Sequence, residues 1–234
     1  MFMKNIFFLS RLQHLCVIAG SLLLLFSSSA FTQTSETPDS VRFKVLGCLY
    51  RSIGALNNRN VRFKALQDEL EEMHPLEPQS MDSVHFAANY AQVTKYLVFL
   101  ESHRSEIAKN VRLLSDTVRL LEKMITKEEE KKALVNFLSA YKEESAAFTL
   151  YSQYLSVMLT DIRFAIAFLQ TVPMERKGND VTFNTDKSAN EKYLDFESKI
   201  SAERMKVDEA IEKSIKLTEK ENKIIQETLS LFNK

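Results

Sequence analysis

Glycine and proline are scarce, with four of each among 234 residues. Sandwiches and barrels need many tight turns, so this scarcity argues against them and favours long helices. The glycines outside the N-terminal region, Gly47, Gly54 and Gly178, stand alone. Because phosphate-binding loops need clustered glycines, the sequence excludes that kind of nucleotide site.

Cysteine and net charge are also lacking. The two cysteines cannot form a disulfide-rich scaffold, and 31 basic residues balance 31 acidic ones. This balance argues against a nucleic-acid-binding surface. Cys48 has two interpretations, an intermolecular disulfide or a small buried side chain on a helix. We favour burial, because free cysteine is among the most buried residue types.

The first thirty residues are typical of a secretory signal peptide. Lys4 and Arg11 precede the apolar run 15–26, and Ser28 and Ala30 are small residues at the −3 and −1 positions of a cleavage site. The apolar run is shorter than the roughly 20 residues of a membrane span. We expect export, with cleavage near Ala30 and a periplasmic or extracellular location.

Hydrophobic spacing predicts four long helices after a polar leader at 31–38. The first covers 39–74, ends before Pro75 and contains Gly47 and Gly54, which weaken it. Asn60 lies between Leu56 and Phe63, at a position where the apolar seam requires an apolar residue. It is either a polar residue that sets the register or the centre of a break.

The second and third helices are predicted to form a tight antiparallel hairpin. The second, about 81–125, has an unbroken heptad pattern in which one position, Arg104, is charged. Arg104 is either a buried ion partner or, as we favour, a side chain that reaches the rim. Thr126 and Glu129 fit a capping box that starts the third helix, which ends before Pro173.

A loop at 173–187 precedes the last helix, 188–232. The sequence therefore predicts an all-α protein, an elongated up-down-up-down four-helix bundle with long antiparallel, coiled-coil-like helices. Residues 39–234 form its single domain. A pair of crossed hairpins, or a dimer that shares one core, would satisfy the same pattern.

One end of this bundle is expected to be thick and apolar. Segments 86–100 and 146–172 are apolar almost all round, and antiparallel pairing places them together. Burial by neighbouring helices is the favoured explanation. The alternative is a cavity or exposed groove that holds an apolar ligand, a partner helix or membrane lipid. The candidate partner or ligand surface consists of Phe86, Tyr90, Phe99, Phe164, Phe168 and Phe183.

No catalytic constellation is recognisable, and we expect neither a cofactor nor a metal. Glu71 and His74 have the Glu-x-x-His spacing of di-iron bundles, but no second pair exists. Glu143 and Glu144 are interpreted as solvated carboxylates on a charged helix face. Six tyrosines look like residues at the edge of the core: Tyr90, Tyr96, Tyr141, Tyr151, Tyr154 and Tyr193.

The resulting hypothesis is an exported, non-enzymatic helical bundle that acts through protein–protein interaction, as a structural, adaptor or chaperone-like protein. Its partner is a protein of unknown identity, including a second copy of the chain. The alternative is a carrier or sensor of an apolar small molecule or lipid, held between the second and third helices. A membrane-active protein is the third possibility, and no nucleic acid is expected.

Overall fold

A computed structural model describes residues 38–73, 83–173, 175–177, 180–183 and 187–233. Its four helices are α1 (Pro38–Met73), α2 (Ser83–Met124), α3 (Glu128–Leu169) and α4 (Lys187–Phe232). At 1.5 Å per residue the helices are roughly 54 to 69 Å long. The four predicted helices are confirmed, whereas the predicted signal peptide lies outside the described residues.

The helices form an up-down-up-down bundle. α1 packs against α2 and α4, and α3 packs against the same two helices. The diagonal pairs are therefore α1 with α3 and α2 with α4. The predicted all-α fold and bundle arrangement are confirmed. No helix in the described part of the chain combines the length and apolarity needed to cross a membrane.

The link between α2 and α3 is three residues long, as expected for a tight hairpin. The predicted capping box is wrong, because the N-cap of α3 is Lys127 and no side chain caps the helix. Thr126 is exposed just before this cap. Glu128, Glu129 and Glu130 fill the first turn instead, where their charges interact favourably with the helix dipole.

α1 is continuous, so the break considered at Asn60 does not occur. Asn60 is exposed, and it does not set the register either. The buried residue at this level is Arg59, which lies three residues after Leu56 and four before Phe63. Both interpretations of Asn60 are wrong, because the charged neighbour occupies the seam.

The region predicted as a loop at 173–187 contains a short strand pair. β1 (Glu175–Lys177) and β2 (Asp180–Thr182) are antiparallel, with Arg176 opposite Val181. Phe183 follows β2, and its ring lies 5.5 Å from the ring of Tyr193 in α4. This contact attaches the end of the connection to the bundle.

The buried apolar residues form two clusters along the bundle. The aromatic core, at the end where α1 finishes and α4 begins, includes Phe63, Phe86, Phe148 and Leu159. The hairpin core, around the α2–α3 link, includes Leu49, Val118, Leu134, Phe137 and Ile225. Between the two clusters the inward positions of α1, α3 and α4 are polar or charged, and this interruption positions the site described next.

Candidate functional site

Three helices contribute buried polar side chains to a layer between the two cores, and α2 contributes His103 from within the aromatic core. We call this set the charged layer, and every member is at most 8% exposed. Heptad spacing brings these residues inward because each replaces an apolar residue in the seam of its helix. The charged layer consists of Arg59 from α1, His103 from α2, Glu144 from α3, and Thr218 and Glu221 from α4.

The centre of the charged layer is a diagonal ion pair between α1 and α3. Arg59 Nη1 donates to Glu144 Oε2 over 2.8 Å, and Arg59 Nη2 donates to Glu144 Oε1. The Thr218 hydroxyl donates to the same Oε1 over 3.2 Å. The guanidinium also lies over the Phe148 ring, 4.4 Å from its centroid. Interpreting Glu144 as a solvated carboxylate is therefore wrong, whereas Glu143 is half-exposed and pairs with Lys220.

Glu221 is the second carboxyl of the charged layer and has no exposed surface. Neither of its oxygens has a hydrogen-bond partner among the described residues. Burial and the charge of Glu144 together raise the pKa of Glu221 to about 8, against the lowering effect of Arg59. Glu221 can therefore exchange a proton close to neutral pH, which an ordinary glutamate cannot do.

His103 is buried among aromatic rings. It stacks on Phe99 with 5.6 Å between ring centroids, and its centroid lies 4.8 Å from that of Phe63. Its Nδ1 lies 3.5 Å from a Glu106 oxygen, and neither ring nitrogen forms a hydrogen bond within the described chain. Burial lowers the pKa of His103 despite the opposing charge of Glu106, so the imidazole is neutral at pH 7.

A pocket of about 320 Å³ opens beside the charged layer, between α1 and α2. Gly54 and Ala55 have too little side chain to fill the space between these helices. An added Cβ at Gly54 would meet nothing within 4 Å, which confirms the open space. Arg59, His103 and Tyr141 extend the lining of this pocket to the charged layer.

The predicted surface residues divide between core and surface. Phe86 is buried in the aromatic core, and Phe99, Phe168 and Phe183 are partly buried against it. Packing in the core therefore explains why these four positions are apolar. Of the six, Tyr90 and Phe164 are the more exposed, at 39% and 52%. α2 and α3 both contribute to the packed aromatic core.

Three other predicted residues have defined roles. Cys48 is buried in the hairpin core, which agrees with the favoured interpretation. Arg104 is half-buried, and its Nη1 donates to Ser156 Oγ over 2.7 Å and to the Ser152 carbonyl over 3.1 Å. It therefore joins α2 to α3 by hydrogen bonds. Tyr141 is buried in the hairpin core, which places it deeper than the predicted core edge.

The described residues contain no group of three or more His, Cys, Asp or Glu side chains that could hold a metal ion. The side chains of Glu71 and His74 are not among those that the structure describes. Comparisons with protein-family models, with curated proteins and with solved structures give no match.

Proposed function

We propose that the protein is an exported, non-enzymatic helical bundle that acts through protein–protein contact, and that its partner is a second copy of the chain. The observation that carries this proposal is the outward face of α1. Phe43 and Val61 on this face are 76% and 70% exposed. Large apolar side chains grouped on one face favour association.

Helical geometry aligns these residues along one stripe. Phe43, Tyr50 and Val61 are separated by seven and eleven residues, close to two and three turns at 3.6 residues per turn. The positions that share the stripe between Phe43 and Val61 carry no charge. We call this set the α1 stripe: Phe43, Gly47, Tyr50, Gly54, Asn57, Asn58 and Val61.

The α1 stripe is complementary to itself in an antiparallel arrangement. A two-fold axis at the level of Ser52 places Phe43 opposite Val61 and Tyr50 opposite Gly54 of the other copy. Each large side chain then faces a smaller one, and the glycine allows a close approach. Matching of one surface with its own copy is the requirement for an isologous dimer. Export is supported by the composition of residues 1–30.

The test compares two double variants of the full chain, produced in a secreting host. Phe43→Glu with Val61→Glu places charges on the α1 stripe, and both positions lie outside the pocket lining. The control is Leu113→Glu with Leu120→Glu on α2, where the native side chains are 55% and 59% exposed. Mass is measured by light scattering over a range of concentrations.

A wild-type dimer that becomes monomeric only in the Phe43/Val61 double variant supports the proposal. A wild-type monomer at all concentrations, or equal dissociation in the Leu113/Leu120 control, contradicts it. Circular dichroism checks that both variants retain their helices. If the Phe43/Val61 double variant does not fold, the single variant Val61→Lys replaces it in the test. Val61 is exposed, so its substitution removes little packing.

A further inference from the structure

The pocket between α1 and α2 contains buried polar atoms without partners. Arg59 Nε and both ring nitrogens of His103 have no hydrogen-bond partner within the described residues. Both side chains line the pocket, and they are 5% and 4% exposed. Since an unpaired buried polar group costs roughly 1–3 kcal/mol, a ligand that pairs with these atoms gains that free energy.

The charges around the pocket favour an anion. Arg51, Arg59 and Arg62 line it, and Glu106 is the acidic residue in the lining. With the buried Glu144 included, three positive charges stand against two negative ones, which leaves one net positive charge. Arg62 and Glu106 pair over 3.2 Å near the surface, so they offset each other. This arrangement matches a ligand with a single negative charge.

The remaining wall is mainly apolar, with Asn58 and Asn110 as its polar residues. Leu56 and Ile107 lie on it, and Gly54 and Ala55 leave backbone and Cβ surface open to the pocket. Tyr141 reaches it from α3, which adds the edge of an aromatic ring and a hydroxyl group. A volume of about 320 Å³ is at the small end of ligand pockets. Inorganic anions have no apolar surface to bury there.

We propose that this pocket binds a small organic monocarboxylate, whose carboxylate accepts hydrogen bonds from Arg59 Nε and the His103 ring and whose apolar body packs on Leu56 and Ile107. Arg51 and Arg62 at the rim attract the anion from solution. No covalent step is involved. Tyr50, Gly54 and Asn58 belong both to the pocket lining and to the α1 stripe, so binding is measured at concentrations at which the chain is monomeric.

Benzoate is the first probe, and calorimetric titration at low ionic strength measures its binding to the full chain. Benzamide, which has the same ring without the charge, tests the anionic group. Inorganic phosphate, which has the charge without the ring, tests the apolar wall. The proposal expects saturable binding of benzoate and at least tenfold weaker binding of the other two, since a charged hydrogen bond contributes about 1.5–3 kcal/mol.

Two glycines give a matched pair of variants. Gly54→Leu fills the pocket, whereas Gly47→Leu adds the same side chain to the same helix outside the lining. We expect Gly54→Leu to abolish benzoate binding and Gly47→Leu to preserve it. His103→Phe keeps the stack on Phe99 but removes both nitrogens, and we expect about tenfold weaker binding.

A nuclear magnetic resonance titration locates the ligand. Benzoate beside His103 should shift its ring signals, and its negative charge should raise the His103 pKa. That charge acts against the lowering by burial and by Arg59 and Arg62, and it adds to the effect of Glu106. No saturable benzoate binding, equal binding of phosphate, or unchanged affinity in Gly54→Leu would each overturn the proposal. If Gly54→Leu does not fold, unchanged affinity in His103→Phe decides against it.

Discussion

Arg59 and Glu144 form a bidentate ion pair across the diagonal of the bundle, and both side chains are buried. The pair thereby joins α1 to α3, which are not consecutive helices, at the level where the apolar core is interrupted. Because buried charges need partners, this pair requires one alignment of α1 with α3. A slip of one helical turn would leave both charges unpaired.

The first prediction concerns the loss of this cation. Arg59→Met leaves Glu144 and Glu221 buried without a positive charge, so we expect the free energy of unfolding to fall by about 3–5 kcal/mol. Urea denaturation at pH 7 measures it. The control is Arg62→Met, whose pair with Glu106 is exposed and should contribute about 1 kcal/mol or less. Equal effects of the two substitutions would contradict a structural role for the Arg59 pair.

The second prediction concerns pH. Glu221 keeps its proton in the folded protein up to about pH 8, whereas its ordinary pKa is 4.5. Between these values the folded state binds more protons than the unfolded state, so this group's contribution is complete below pH 4.5 and is lost as pH rises to 8. Glu221→Gln should remove that decline.

The measurement for this second prediction is the difference in unfolding free energy between wild type and Glu221→Gln from pH 4 to pH 9. Subtraction cancels the titration of groups that both proteins share, such as His103. Glu144 and Arg59, whose charges act on Glu221 in the wild type, are present in both proteins. Glu219→Gln is the matched control, because Glu219 is exposed on the same helix. A constant difference across the range would show that Glu221 titrates normally.

The third prediction concerns the glycines inside α1. An added Cβ would meet nothing within 4 Å at Gly47 or Gly54. Replacement by alanine should therefore stabilise the protein by about 0.5–1 kcal/mol at each position, because glycine is a poor helix former. Thermal unfolding checks this, with Ala55→Gly as the reverse substitution in the same helix. Thermal unfolding is followed at concentrations at which the chain is monomeric, where destabilisation by Gly47→Ala or Gly54→Ala would contradict the open space at these positions.

The fourth prediction concerns Cys48. Burial raises the pKa of its thiol to about 11, so little reactive thiolate exists at pH 8. We expect very slow reaction of the native protein with Ellman's reagent and rapid reaction in urea. An exposed thiol introduced as Asn60→Cys in a Cys48→Ser background should react at once. Rapid labelling of native Cys48, or a disulfide-linked dimer, would contradict its burial.

The helices could be predicted from the sequence because their apolar residues repeat every three or four positions. Pro75 and Pro173 also mark the ends of the apolar patterns of α1 and α3. The prediction of a capping box was wrong because the spacing of Thr126 and Glu129 does not decide which residue starts the helix. In the structure Lys127 has the extended conformation of the N-cap, at φ −85° and ψ 123°.

The charged layer was missed for a different reason. Arg59, Glu144 and Glu221 occupy seam positions, but an isolated charge in a heptad pattern usually belongs on a helix surface. Their positions do carry a signal, since Arg59 lies between Leu56 and Phe63 and Glu221 is four residues before Ile225. That signal becomes decisive only when an opposite charge is known to lie at the same level on another helix.

The sequence by itself determined the all-α class, the four helices and their antiparallel order, because periodicity and short links are local properties of the chain. Tertiary structure alone decided which charges are buried, since the partner of Arg59 is 85 residues away in the chain. It also decided where a pocket opens, because Gly54 leaves a cavity only where α2 brings polar groups such as His103 alongside it. Packing distances between separate helices are not encoded in the spacing along any one of them.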